Sequence, residues 1–220
     1  MKFGMPVTDV VHLGGIAGLD DIIEDGDGLR LGSLVTHDRL ARAPLVARRL
    51  PALAETWRGV ANIRIRCKGT IGGNLMSGEP GYDFALAALA AGARLEFLML
   101  DGTLRIVMAD EPGAAETGGL LTAIVFPATP GLRLRFDRSL RPVATIALGH
   151  DAKGGRLAIG CAYRAPVAIR LPLDERLPPH ALAPLVAASL PEPVADHEAG
   201  SAYRRRMIEV LLRRNLEAAA

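Results

Sequence analysis

The segment from Phe84 to Pro127 narrows most sharply what this chain can become. It opens with an unbroken apolar run, Phe84-Ala-Leu-Ala-Ala-Leu-Ala-Ala91. Alanine and leucine are strong helix formers, and a helix apolar on most sides must be buried on most sides. Next, Leu95–Leu100 and Thr103–Val107 flank Asp101-Gly102, a pair suited to the positive φ angles of a tight hairpin turn. Leu120-Leu-Thr-Ala-Ile-Val-Phe126 reads as a buried strand, and Pro127, which has no N–H for a ladder, closes it. A buried helix beside antiparallel strands predicts an α+β fold.

The flanking sequence extends the pattern. Ile22-Ile23 and Leu29-Arg-Leu31 read as strands on either side of the Asp25–Gly28 turn. Thr36 is an N-cap for a short helix ending before Pro44, and a second helix runs through Leu53 to Trp57. Residues 110–119 form a polar loop. A second unit starts near Ala128, with strands over 143–148 and 157–162 joined through 149–155, then helices over 181–190 and 203–216. In the last helix Tyr203, Met207, Val210 and Leu211 make one apolar stripe. Arg204, Arg205, Arg206, Arg213 and Arg214 read as its solvated face. The division is therefore 1–127 and 128–220, within the one to two domains that 220 residues suggest.

Chemistry concentrates in Cys67-Lys-Gly-Thr-Ile-Gly-Gly-Asn74 and in Asp83. Adjacent glycines permit unusual backbone angles and let a ligand approach the main chain, where successive N–H groups can converge on a phosphate oxygen. Thr70 and Asn74 add a hydroxyl and an amide able to orient a polar ligand. The same glycine pair also suits a plain turn between strand and helix. Asp83 has two readings as well: a helix cap, or an acceptor for sugar hydroxyls.

The order of these pieces resembles the FAD-binding, or medium, subunit of the molybdenum hydroxylases of the xanthine dehydrogenase and carbon monoxide dehydrogenase type. Leu29-Arg-Leu-Gly-Ser-Leu-Val-Thr-His37 is similar to that family's strand and threonine-histidine turn, and Pro51–Trp57 to its following helix. Asn62–Asn74 is similar to its second flavin loop, and Ser201-Ala-Tyr-Arg-Arg205 to the start of its last helix. The resemblance covers nearly the whole chain. It implies a FAD-binding subdomain of the molybdopterin dehydrogenase type, followed by a sheet-plus-helices domain like the C-terminal domain of carbon monoxide dehydrogenase flavoproteins. One departure stands out. Met1–Leu13 is similar to the segment just after the family's first glycine-rich loop, and Gly14-Gly15 does not fit that loop. The expectation is a truncated first subdomain, missing about one βαβ unit, with an uncovered apolar face around Val10, Val11 and Leu13.

What the resemblance implies about function is specific. Thr70, Ile71, Gly72, Gly73 and Asn74 would hold the flavin diphosphate, and Asp83 the ribityl or ribose hydroxyls. Leu121 would lie against the ring system, and Arg138 near its pyrimidine edge. The chain would have no catalytic residue of its own. FAD would relay electrons to NAD⁺, oxygen or a quinone; molybdopterin would sit on a large subunit and two [2Fe–2S] clusters on a small one. The alternative is a flavin-depleted subunit of the same kind of complex, retained for assembly.

Other chemistries find no support in the residues. With 26 basic and 24 acidic side chains the net charge is +2, which makes no electrostatic case for nucleic acid or a membrane surface. Cys67 and Cys161 are the two cysteines and neither lies in a CxxC, so a chain-held iron–sulfur cluster is not expected. His12, His37, His150, His180 and His197 show no metal spacing, and His37 reads as a turn histidine bonded to backbone. No Gly-x-Ser-x-Gly elbow or P-loop occurs. With no apolar run of spanning length and no leader-like N-terminus, the default location is the cytoplasm.

Overall fold

The structure is a computed structural model that describes residues 9–26, 28–111, 117–129, 131–151, 154–171 and 178–218. The start of the chain that resembles the region after the first family loop therefore lies largely outside the described residues, as do Asp27 of the first turn and parts of the 110–119 and 149–155 connections.

One sheet has the order β1 (Ile22–Asp25), β2 (Gly28–Gly32), β5 (Leu120–Pro127), β3 (Arg94–Leu98), β4 (Leu104–Met108), every neighbour antiparallel. Alternation along β2 and β3 sends Leu29, Leu31, Leu95 and Phe97 into the first core. Helices α1 (His37–Arg42), α2 (Pro44–Arg49), α3 (Pro51–Gly59), α4 (Ile63–Lys68), α5 (Ile71–Met76) and α6 (Asp83–Ala91) follow between β2 and β3. Thr36 caps α1 by accepting from Arg39 N at 3.2 Å, as its sequence position suggests. Pro44 and Pro51 begin α2 and α3, where a missing N–H does no harm. Trp57 is buried edge-on against Phe84 (5.4 Å) and Phe136 (6.4 Å), and each such pair contributes about 0.5–1.5 kcal/mol beyond area burial.

The second sheet is a four-stranded meander, β6 (Arg133–Arg138), β7 (Thr145–Asp151), β8 (Gly154–Gly160), β9 (Val167–Leu171). It is covered on both sides. Ile146, Leu148, Leu157 and Ile159 meet α7 (Pro179–Ser189) and α8 (Ser201–Glu217), whereas Leu134, Ala147 and Ala158 join the first core, to which α6 belongs. The small side chains of α6 let backbone pack on backbone there: a Cβ on Gly149 would overlap the Ala90 carbonyl.

Several expectations need correction. The hairpin closes through Gly102 alone (φ +81), while Asp101 accepts from Thr103 N at 2.9 Å and Thr103 Oγ1 at 2.7 Å. β7 runs on through Gly149 to Asp151, and β6 and β9 add two strands beyond the pair anticipated. In α8 the buried stripe is Arg204, Ile208, Leu211, Leu212, Asn215 and Leu216, rotated from the expected one, and Tyr203 is 57% exposed. Arg204 is not solvated but 2% exposed. Its Nη1 donates to Val143 O (2.8 Å) and Cys161 O (2.7 Å), and its Nη2 to Asp196 (2.6 and 2.7 Å).

Candidate functional site

Thr70 is positioned by an isolated antiparallel bridge to Thr36. His37 N donates to Gly69 O (3.0 Å) and Ile71 N to Val35 O (2.9 Å), so the starts of α1 and α5 are zipped together. His37 itself is buried and accepts at Nδ1 from Trp57 Nε1 (3.0 Å). That partner is a side chain, where a backbone group was expected. Burial holds the His37 imidazole below its usual pKa.

The glycine pair does not form a loop of unusual angles. Gly72 and Gly73 lie in the helical turn α5, and neither takes a positive φ. Close approach is what they supply. A Cβ on Gly72 would come within 2.6 Å of the Ser33 carbonyl oxygen, so this glycine lets α5 pack on the protein itself. Gly73 faces outward, and a Cβ there would meet only Thr70 Oγ1, at 3.0 Å.

The main-chain donors of this turn are occupied. Ile71 N bonds Val35 O, Gly72 N bonds Ser33 O (2.9 Å), Gly73 N bonds the Thr70 hydroxyl (3.1 Å) and Asn74 N bonds Thr70 O (2.9 Å). Those N–H groups are therefore satisfied within the chain, where a phosphate cradle was expected to present them outward. Side-chain groups do face outward. Thr70 lines a cleft of about 530 Å³ with Leu34, Leu13, Gly14 and the strongly exposed Val10 and Val11. The Thr70 hydroxyl accepts from Gly73 and keeps its own proton to donate. Asn74 Oδ1 accepts from Phe84 N (3.3 Å), and its amide nitrogen has no acceptor among the described residues.

That Asn74 bond caps the start of α6 and sets Asp83 beside α5. Asp83 is the first residue of α6, after Tyr82 at the cap, and its carboxylate makes no capping bond. The side chain is 13% exposed, and Arg138 Nη1 stands 4.0 Å away. Burial raises the Asp83 pKa from 3.8 to about 6, with the Arg138 charge pulling in the opposite direction. The end of β6 thus meets the start of α6 across the two sheets. Nearby, Cys161 adopts φ +61, donates N–H to Pro80 O (2.8 Å) and lies 3.5 Å from Thr145 Oγ1. Burial pushes its thiol pKa up, and the Asp83 charge adds to that.

Among the predicted residues the structure thus joins Thr70, Asn74, Asp83 and Arg138 in sequence. Ile71 and Gly72 are buried beneath them. Leu121 is 4% exposed in the first core, paired with Phe97, and leaves little of its side chain for a ligand to touch. Sequence reasoning missed Arg204 and Cys161. Arg204 was discoverable, because the leucine-rich stripe Ile208, Leu211, Leu212, Leu216 continues back to it at helical spacing. Among the described residues no three His, Cys, Asp or Glu side chains converge as a metal site, and no helix is long and apolar enough to cross a membrane.

The fold and the sequence have relatives among known proteins. Residues 1–129 match the family model described as the FAD binding domain in molybdopterin dehydrogenase. The carbon monoxide dehydrogenase medium chain of Afipia carboxidovorans is 31% identical over 96% of this chain and 81% of its own length. The nicotine 6-hydroxylase medium subunit of Paenarthrobacter nicotinovorans is 28% identical over 98% and 83%. Among solved structures, quinoline 2-oxidoreductase from Pseudomonas putida 86 shares the fold (TM-score 0.81, 24% identity, 94% of this chain and 80% of that one). The Cu,Mo-CO dehydrogenase superposes with a TM-score of 0.78 at 28% identity, over 93% and 80%. With a family model covering residues 1–129 and a medium chain 31% identical along most of its length, this chain belongs to the medium, FAD-binding subunits of the molybdenum hydroxylases.

Proposed function

We propose that the chain is the flavin-bearing electron relay of a molybdenum hydroxylase complex. Electrons would arrive from [2Fe–2S] clusters on a small subunit and leave to an external acceptor, while a molybdopterin-binding large subunit oxidises the substrate. Bound FAD would supply the redox chemistry, and the chain would supply binding, orientation and electrostatics. The Thr70 hydroxyl, the outward edge of Gly73 and the Asn74 amide nitrogen would meet the diphosphate. Asp83 would accept from sugar hydroxyls, and Arg138 would place a cation at the pyrimidine edge of the ring. Ile71, Gly72 and Leu121 would support these groups from the core. The division into 1–127 and 128–220 is proposed with it, since the two sheets part between β5 and β6.

The observation that carries this reading is Asp83. A carboxyl 13% exposed, with no capping bond and a guanidinium no nearer than 4.0 Å, is costly to the free chain. Sugar hydroxyls donating to its ionised form would be worth about 1.5–3 kcal/mol each. The test is flavin content by visible spectrum of the purified complex: Asp83→Ala should lower it while the fold survives. Undiminished flavin in that variant would refute the assignment.

A second reading has its own support, the internal use of the N–H groups of residues 71–74. Under it the chain is a flavin-depleted assembly subunit. A wild-type complex that carries molybdenum and iron–sulfur centres but no flavin band would establish it.

A further inference from the structure

Among the described helices α4 is the one with no buried residue. Ile63 is 47% and Ile65 53% exposed, and the rest of the helix is Arg64, Arg66, Cys67 and Lys68. Six residues cannot sustain a helix through their own hydrogen bonds. Local devices hold it instead: Asn62 Oδ1 accepts from Ile65 N (3.1 Å), and Gly69 N donates to Ile65 O (2.7 Å). The preceding Ala61 sits at φ +53, a conformation that an L residue adopts only at a cost. Arg66 fixes that turn by donating to Val60 O (3.0 Å) and Ala61 O (2.8 Å).

Arg64 and Lys68 stand one turn apart, a like-charge spacing that destabilises an isolated helix, and neither has an ion pair among the described residues. No acidic residue lies on α4. Beside it, Cys67 borders a cleft of about 570 Å³ lined by Thr36, Asp38, Arg39, Arg42 and Leu45, large enough to admit side chains of another chain; there Arg42 pairs with Asp38 and Arg39 with Asp20. A strained turn thus displays exposed isoleucines beside Arg64 and Lys68, two cations with no counter-ion among the described residues, immediately before the Gly69-Thr70 start of the candidate site. Exposed apolar side chains rimmed by charge mark a protein contact.

We propose that α4 docks an acidic, partly apolar face of the electron-donating subunit. The identity of that partner rests on the function proposed above; the character of its surface follows from the charge of α4. Docking there would bring the donor beside Thr70.

Cys67 makes the test direct, because it is exposed while Cys161, the other cysteine, is partly buried. The co-expressed complex and the full chain purified alone are alkylated and followed by peptide mass, alongside an R64E/K68E variant. In the wild-type complex Cys67 should react at least about tenfold more slowly than in the free chain. R64E/K68E should weaken retention of the small subunit by at least about tenfold at moderate salt, with melting temperature and flavin content unchanged. A wild-type complex holding the small subunit, with Cys67 as reactive as in the free chain and R64E/K68E without effect, would overturn the docking proposal alone. A wild-type chain that never retains an iron–sulfur subunit would overturn the functional reading and this partner with it.

Discussion

Replacing Asp83 by asparagine should stabilise the free chain at neutral pH. Burial lifts the carboxyl from 3.8 to about 6. A rise of about two units, at roughly 1.4 kcal/mol each, is a penalty of about 3 kcal/mol on the folded state. Against it stands the attraction of a negative charge for the first turn of α6, about 0.3–1 kcal/mol, which asparagine forfeits. The net gain is about 2 kcal/mol, or roughly 4–8 °C in melting temperature for a chain of this size. The pH window follows from the direction of the shift. With the folded-state value above the unfolded one, the folded chain holds the proton longer, so the penalty is absent below the ordinary 3.8 and complete above about 6. Melting curves of wild type and Asp83→Asn should therefore converge near pH 4 and separate as pH rises to 7. A variant that melts below wild type at neutral pH, or a gap independent of pH, would refute the reasoning. Paired with lower flavin content in the assembled complex, the stabilised variant would mark Asp83 as kept for binding at the expense of stability.

Further outcomes can be checked on the same material. Gly72→Ala, whose Cβ would meet the Ser33 carbonyl at 2.6 Å, should cost several kcal/mol and yield little folded protein, whereas Gly73→Ala should fold and melt near wild type; equal thermal stability of the two would contradict the packing assigned to Gly72. Asn74→Ala should lose about 0.5–2 kcal/mol through the missing α6 cap, and Asn74→Asp should keep the cap while giving up the amide donors, so denaturant titration should respond to Asn74→Ala alone and flavin content should fall in both. Arg204→Met should lower stability by about 2–4 kcal/mol, since two carbonyls, Val143 and Cys161, lose their donor in the interior, and a change in urea midpoint too small to resolve would disprove that role.

The alternating and uniformly apolar segments were legible in the sequence because their side chains report their surroundings. Phe84–Ala91, the β3–β4 pair, β5 and the Thr36 cap all belong to this class. β6 was hidden by composition: in Arg133-Leu-Arg-Phe-Asp-Arg138 the outward residues are charged, and the inward Leu134 and Phe136 are too few to declare a period of two. α4 and α5 were hidden for the opposite reason. Neither has the length or pattern of a helix, and each depends on a local cap, from Asn62 and Thr70, and on close packing at Gly72. At the site, the residue types were readable and their bonds were not. Asn74, whose amide was expected to orient a ligand, gives its oxygen to Phe84 N. The glycines, expected to bend the chain, let it pack. Arg204 went astray because five arginines in one segment look solvated until the leucine stripe is drawn in the right phase.

The sharing of α6 between the sheets bears on how the molecule comes apart. Leu134, Ala147 and Ala158 of the second sheet belong to the same apolar cluster as Phe84, Ala88 and Phe126, and backbone meets backbone where Gly149 passes Ala90. A chain cut after Pro127 would leave the α6 face that packs on β7 and β8 in water, and the remainder would lose one wall of its sheet. The two halves are thus geometrically distinct yet energetically one body. Heating should melt them in a single cooperative step, and the seam where Asp83 meets Arg138 should not open as a hinge short of global unfolding.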